Sequence, residues 1–190
     1  MRKALVWSVV ALALQGCAFK TRQIDFFVDP KDTKGVEVLV DVVYIYPDSP
    51  YQTALVDLNA RGSECWFTKQ QPYDRLYDTA KKDTFRVRPT GDKTYLQYCY
   101  DTCLLRPDLL KNAVGIAVIA EYGDSKPDPK DPKDSRGIVF LRKDLKGEPK
   151  PRKVENIFIG PGYLKRLIQT SRGMEAVAPG DLTPFKRPEF

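Results

Sequence analysis

The segment covering residues 36–46 constrains the fold of this chain more than any other stretch. Its sequence, VEVLVDVVYIY, places valine and tyrosine side chains on one face and Glu37 and Asp41 on the other. A period of two residues predicts a β-strand with one buried face, because successive side chains of a strand point to opposite sides. The two acidic residues are therefore expected to face solvent. The turn sequence PDSP at residues 47–50 ends the strand.

Shorter strand patterns recur along the chain between turn residues. Residues 24–28 form one, and residues 114–122 are almost wholly apolar, which is typical of a strand buried on both faces. Residues 137–141 follow as the partner strand of a hairpin whose tip is the charged, proline-rich segment 124–134. Further strands are predicted at residues 85–88, 93–100 and 154–159.

Helical patterns are few and short. Pro72 suits a first helical turn, and residues 73–80 then offer one apolar stripe. A helical turn is expected after Pro107, and residues 163–169 are predicted to form a short helix. The remainder of residues 51–84 is predicted to be irregular.

About seven short strands with little helix predict a mainly β fold. The expected arrangement is an antiparallel two-sheet sandwich with one or two short inserted helices, and a small open barrel is the alternative. The predicted boundaries place the β-sandwich at residues 24–170 and a flexible C-terminal tail at residues 171–190.

The N-terminal residues are built like a secretory leader. Arg2 and Lys3 supply positive charge, residues 4–14 are apolar apart from one serine, and a small glycine precedes Cys17. An apolar stretch this short cannot span a hydrocarbon core of about 30 Å as a helix. We therefore expect a leader that is removed rather than a permanent membrane span.

The run LQGC that ends at Cys17 resembles the lipobox of bacterial lipoproteins. This resemblance implies a signal peptide at residues 1–16, acylation of Cys17 by groups such as palmitate, and a lipidated tether at residues 17–23. Ala18 follows the cysteine, where an aspartate would signal retention in the inner membrane, so the outer membrane is the expected location. The alternative is a plain secretory signal beside an ordinary cysteine.

Composition excludes several classes of function. Removing the leader leaves 174 of the 190 residues and lowers the formal charge from +6 to +4. This excess carries no aromatic-interleaved basic stripe, so we expect no nucleic-acid partner. It fits solubility, or attraction to anionic lipid or an acidic partner. The chain has no histidine, which removes the commonest general base and transition-metal ligand.

Three cysteines remain after Cys17. In an oxidising compartment we expect Cys65 to pair with Cys99 or Cys103, and a bridge between the latter two is the less favoured option. The spacing fits neither a thioredoxin-type redox pair nor a zinc site. The cysteines are therefore predicted to be structural.

No catalytic constellation, phosphate-binding loop or metal-spaced cluster is found in the sequence. The carboxylates at Asp128, Asp131 and Asp134 alternate with lysines, which disfavours a calcium site. Trp66 and Phe67 could line a ligand pocket, although aromatic side chains in a β-rich protein are mostly core residues. We therefore predict that the protein is not an enzyme, has no cofactor and acts on no small-molecule substrate.

The layout of strands also resembles a known family. Residues 24–28, the VVYIY run at residues 42–46, the inserted helix at 73–80, and the strands at 114–122 and 137–140 are similar to elements of the outer-membrane lipoprotein of the type VI secretion membrane complex, the TssJ family. The chain departs from that family in its short loop between the first two strands, its long segment 49–71, and its cysteines with the C-terminal extension.

The resemblance implies a transthyretin-like sandwich that faces the periplasm and caps a trans-envelope complex. In that family the loop between the first two strands contacts the periplasmic domain of an inner-membrane subunit. Here the corresponding residues are Asp29, Pro30, Lys31, Asp32, Thr33, Lys34 and Gly35.

Two other classes stay open from the sequence. One is a periplasmic lipoprotein that binds a small ligand or an envelope polymer through aromatics such as Tyr51, Trp66 and Tyr73. The other is an assembly lipoprotein of a different machine, such as a type IV secretion or pilus apparatus. A pocket lined by these aromatics would favour the first class, and a packed aromatic core would favour a scaffold.

Overall fold

A computed structural model describes residues 19–28, 37–47, 49, 52–87, 96–98, 104–121, 137–142, 150–160, 163–171 and 173–176. These residues form nine strands and four short helices. In chain order the elements are β1 (Gln23–Val28), β2 (Val38–Ile45), α1 (Gln52–Arg61), α2 (Glu64–Phe67), α3 (Tyr73–Thr79), β3 (Lys82–Val87), β4 (Leu96–Tyr98), α4 (Pro107–Leu110), β5 (Gly115–Ala120), β6 (Ile138–Arg142), β7 (Val154–Gly160), β8 (Tyr163–Thr170) and β9 (Gly173–Ala176).

The strands form two sheets. The first sheet has the order β4-β1-β7-β8-β9, and the second has the order β3-β2-β5-β6. All pairs are antiparallel except β1 with β7, which run parallel. The predicted two-sheet sandwich with short inserted helices is confirmed.

A third layer of helices covers the second sheet, so that β2 and β5 are buried on both faces. Their even-numbered side chains, such as Val40 and Val118, pack between the two sheets. Their odd-numbered side chains, such as Val43 and Ile119, pack against α1, α2 and α3. This confirms the prediction that residues 114–122 contain a doubly buried strand, and it identifies what covers each face.

The helical layer is larger than predicted. The expected helix after Pro72 is present as α3, but α1 and α2 lie in a segment predicted to be irregular. Leu55 and Leu58 of α1 are fully buried, because a three-residue spacing places both on the side that faces the sheet. Gly62 follows α1 with a φ of +101°, and its N–H donates to the Leu58 carbonyl at 2.8 Å. A left-handed glycine at this position ends the helix.

Residues 163–169 do not form the predicted helix. They belong to β8, which pairs with β7 and β9. Leu164 and Arg166 are buried while Tyr163 and Lys165 are partly exposed, so the burial follows the two-residue period of a strand. The apolar spacing fits either structure, and pairing with two neighbouring strands decides between them. The sheet continues into β9, so the β-sandwich extends beyond the predicted end at residue 170.

The folded body also begins earlier than the predicted tether boundary. Phe19 and Thr21 have 0% exposure, and Phe19 belongs to the core between the sheets. The Arg22 guanidinium donates to the Phe19 carbonyl at 2.7 Å. The Arg22 backbone N–H donates to the Lys153 carbonyl at 2.8 Å. The chain is therefore held in place from Phe19 onward.

Candidate functional site

The sandwich has two ends, and hydrogen bonds show which strand termini share each end. The Leu105 N–H donates to the carbonyl of Arg22, which precedes β1, at 2.9 Å. The next N–H, of Arg106, donates to the hydroxyl of Tyr44, near the end of β2, at 3.1 Å. The start of β1 and the end of β2 therefore lie together, at what we call the anchor end.

The opposite end, which we call the loop end, gathers the other termini of the same strands. It contains the end of β1 at Val28 and the start of β2 at Val38. The register pairs Val28 with Ile159 of β7, and it pairs Val38 with Val87 of β3. The connection between β1 and β2 therefore leaves the sandwich at the loop end.

The predicted contact loop is this connection. Its residues, Asp29, Pro30, Lys31, Asp32, Thr33, Lys34 and Gly35, lie outside the described residues. Their attachment points at Val28 and Glu37 are described and fix the end of the molecule from which the loop starts. The connections β3–β4, β5–β6 and β7–β8 start from the same end, as the strand registers require.

Cys17, the predicted lipidation site, also lies outside the described residues. It precedes Phe19 by two residues, and Phe19 enters the core at the anchor end. The six residues of β1 then cover about 20 Å along the sandwich. The sequence-predicted lipid site and the sequence-predicted partner loop are thus attached to opposite ends of one strand.

Asp41 is buried, although its strand position predicts that it faces solvent. It has 0% exposure, because the helical layer covers this face of β2. The Trp66 indole N–H donates to Asp41 Oδ2 at 2.8 Å, and the Thr84 hydroxyl donates to Asp41 Oδ1 at 2.5 Å. Lys82 Nζ lies 3.9 Å from Asp41 Oδ2. The carboxylate, which belongs to β2, therefore joins α2 to β2 and β3 of the second sheet.

Lys82 completes this buried network. Its ammonium lies 3.1 Å from the centroid of the Tyr77 ring and donates to the Tyr77 carbonyl at 2.6 Å. Burial lowers the pKa of Lys82, and the nearby charge of Asp41 acts in the opposite direction. Every polar group in the network has a protein partner, so the network fixes the helices on the sheet.

Asp25 of β1 is a second acidic residue that is buried on a strand. It is only 6% exposed and accepts a hydrogen bond from the Gln23 amide at 2.6 Å. On the opposite face of the same sheet, Glu155 accepts two hydrogen bonds from Arg166, at 2.9 and 3.0 Å, with both side chains buried. These charged side chains are therefore buried within the fold, where they pair with neighbouring polar groups.

The aromatic residues proposed for a ligand pocket are part of the core. Trp66 and Tyr73 both have 0% exposure, and the Trp66 ring packs 5.3 Å from the Tyr77 ring between centroids. Tyr51 lies outside the described residues. The described aromatics thus match the packed core that the sequence argument associates with a scaffold.

Cys65 is a free cysteine in the structure. Its predicted partners, Cys99 and Cys103, lie outside the described residues, so the bridge stays a prediction. The Cys65 thiol donates to the Gln70 side-chain oxygen at 3.6 Å. Cys65 lies in α2, which covers the face of the second sheet that points away from the first sheet.

The described part of the chain contains no group of three His, Cys, Asp or Glu residues placed to hold a metal ion. Its helices are all too short or too polar to cross a membrane.

Tyr73 gives a testable pH dependence. Burial, followed by its hydrogen bond to Asp57 at 3.0 Å, raises the pKa of Tyr73 to about 12. A raised folded-state pKa contributes stability below the unfolded value of about 10 and loses it as the pH rises toward 12. Because Asp57 is half exposed, we discount this contribution to about 1 kcal/mol. Urea unfolding of the wild type and Tyr73→Phe at about pH 9 and pH 11 should show a smaller alkaline loss in the variant. Equal losses would contradict the assignment.

No protein-family model and no curated protein matches this sequence. The fold is similar to that of Lip from Serratia marcescens, a membrane-bound component of the type VI secretion system, with a TM-score of 0.41 and 18% identity over 77% of this chain and 96% of that chain. It is also similar to a chain of a type VI membrane complex, with a TM-score of 0.41 and 16% identity over 78% of this chain and 99% of that one. At these identities the likeness concerns the arrangement of the backbone and transfers no contact residue.

Proposed function

We propose that this protein is a periplasm-facing lipoprotein, anchored to the outer membrane through Cys17, that serves as a structural subunit of a type VI secretion membrane complex. Residues 29–35 would dock the periplasmic domain of an inner-membrane subunit. The proposal combines the lipobox of the sequence with the family resemblance of its strands.

One observation carries the proposal. β1 connects the anchor end to the loop end, so a lipid on Cys17 would hold one end at the membrane while the loop projects about 20 Å farther into the periplasm. A subunit that links a membrane to a second protein needs its two attachment points on opposite sides. This fold meets that requirement with a single strand.

A structural role also fits the use of charged side chains. Asp41, Lys82, Glu155 and Arg166 are buried or nearly buried and bind one another or nearby groups of the chain. Among the described residues, these four side chains do not line an open cleft, which is where a reaction would need them. The rigid, layered body is suited to holding the loop end in a fixed position.

The docking role is tested by Lys31→Glu with Lys34→Glu in the intact lipoprotein. We expect at least a tenfold loss in recovery of the inner-membrane subunit after affinity purification, because charge reversal at an interface replaces attraction by repulsion. The matched control reverses Arg61 and Arg75, which are exposed on the helical layer. Unchanged recovery with the loop variant, or equal loss with the control, would remove the loop from the interface.

A further inference from the structure

Three segments surround the point where the N-terminal chain enters the body at the anchor end. The first covers residues 19–22. The second covers residues 104–112, whose Leu104 forms a bridge to Gln23, and the third covers residues 150–154, whose Val154 pairs with Gln23. Gln23 therefore has one of these segments on each side.

The exposed charges of these segments are mostly basic. Their exposed acidic residue is Asp108, which forms an ion pair with Arg106 at 2.9 Å. Six exposed basic residues belong to the same segments: Lys20, Arg106, Lys111, Lys150, Arg152 and Lys153.

The helical layer offers a direct contrast on the same molecule. Across residues 52–79 the exposed charges are balanced, with three acidic residues and three basic ones. These are Asp57, Glu64 and Asp78, and Arg61, Lys69 and Arg75. Among the described residues, the basic excess of the three segments thus contrasts with the balanced charges of the helical layer.

The anchor end also exposes apolar side chains. Leu104 is 53% exposed and Val154 is 36% exposed, and they are the large hydrophobic residues that stand out as exposed in the described part of the chain. Both flank Gln23 in one row across the sheet, so their side chains leave the same face. Basic residues around exposed apolar ones are the composition that favours a membrane interface.

The distance to the proposed lipid is short. Phe19 is fixed in the core, and two residues cover at most about 7 Å, so a lipid on Cys17 would lie within about 7 Å of the folded body. The headgroup region of a leaflet is about 5 to 8 Å thick. A body held this closely cannot avoid contact with the headgroups of the leaflet that holds its lipid.

We propose that the anchor end is a membrane-binding face that contacts anionic phospholipid headgroups, so that the protein has a second, electrostatic attachment beside its lipid. This face consists of Lys20, Leu104, Arg106, Lys111, Lys150, Arg152, Lys153 and Val154. The lipid on Cys17 rests on the proposed function. The charge and the exposed apolar groups of this face do not. Binding through both points orients β1 away from the membrane and directs the loop end toward the periplasm.

The test uses the mature chain from residue 17 with Cys17→Ser, which keeps every described residue and lacks the lipid. Co-sedimentation is measured with vesicles of phosphatidylethanolamine and phosphatidylglycerol and with vesicles of phosphatidylcholine. We expect binding to the anionic vesicles alone, with release at about 1 M salt, where the screening length falls to about 3 Å. Binding to neither vesicle, as expected of a face that binds an acidic protein, would overturn the proposal, and so would equal binding to both.

Charge reversal locates the face. Lys20→Glu, Lys111→Glu and Lys153→Glu together should weaken binding to anionic vesicles about 100-fold, since each basic residue near such a surface contributes about fivefold. The control reverses Arg61, Lys69 and Arg75, and it should bind like the parent. Equal weakening of both variants would overturn the proposal.

The salt-dependent binding of the unreversed chain is a readout that does not require any reversed variant to fold. Labelling of the intact protein with radioactive palmitate tests the lipid anchor separately. A chain that binds anionic vesicles but takes up no palmitate would contradict the proposed function and leave the membrane-binding face supported.

Discussion

Replacing Cys17 by serine is expected to turn a protein that stays with the outer membrane after washing into one that salt removes completely. Several acyl chains hold a lipoprotein stably, because each buried methylene contributes about 0.8 kcal/mol. The serine variant would keep only the charged face at the anchor end, and salt screens that attraction. The expected result is a membrane pellet that loses the variant at about 1 M salt and keeps the wild type.

The fractionation needs one precaution and one control. The variant should be exported behind an ordinary cleavable leader, so that an unprocessed apolar segment does not hold it in the membrane. Its thermal unfolding should match that of the wild type, because the described core begins at Phe19. Salt-resistant retention of the variant would show that the anchor lies elsewhere in the chain.

Asp41→Ala is expected to cost about 3 kcal/mol of the free energy of unfolding. The substitution removes the acceptor of the buried Trp66 indole N–H and the nearest carboxylate to Lys82. An unpaired buried donor costs about 1 to 3 kcal/mol, and breaking a buried ion pair costs more because it leaves a charge uncompensated. For a domain of this size the melting temperature should fall by about 6 to 12 °C.

Two variants show whether burial is the cause. Asp78→Ala removes an exposed carboxylate that bridges to Lys69, and it should cost less than 1 kcal/mol. Asp41→Asn keeps an acceptor for the Trp66 N–H, so it should lose less stability than Asp41→Ala. Urea unfolding measures all three. Equal losses for Asp41→Ala and Asp78→Ala would mean that the network around Asp41 does not fix the helical layer.

The local patterns of the sequence predicted much of the sandwich correctly. The alternation in residues 36–46 predicted β2 and the side chains that it packs between the sheets, and the apolar run from residue 114 predicted a doubly buried β5. Pro72 correctly marked the start of α3. These features depend on neighbours within a few residues, so their signals are present in the sequence itself.

The wrong predictions concern which other elements pack against or pair with a segment. Asp41 was assigned to a solvent face because nothing in its strand indicates that a helical layer covers it. The available signal was an aspartate inside an otherwise apolar strand. A buried carboxylate needs a hydrogen-bond donor, which the Trp66 indole N–H supplies. β8 was predicted as a helix because its apolar spacing fits both structures, and its two paired neighbours decide the outcome.

The sequence by itself determined the resemblance to a lipobox at Cys17, the strand periods and the absence of histidine, because each is a property of residues that are adjacent or simply counted. Only the tertiary structure decided that Phe19 is fixed in the core, that Cys65 is kept apart from the first sheet, and that the basic residues of segments 19–22, 104–112 and 150–154 meet at one end. The physical reason is that strand pairing and layer packing join segments more than a hundred residues apart in sequence, and no local pattern records which distant segment will become the neighbour.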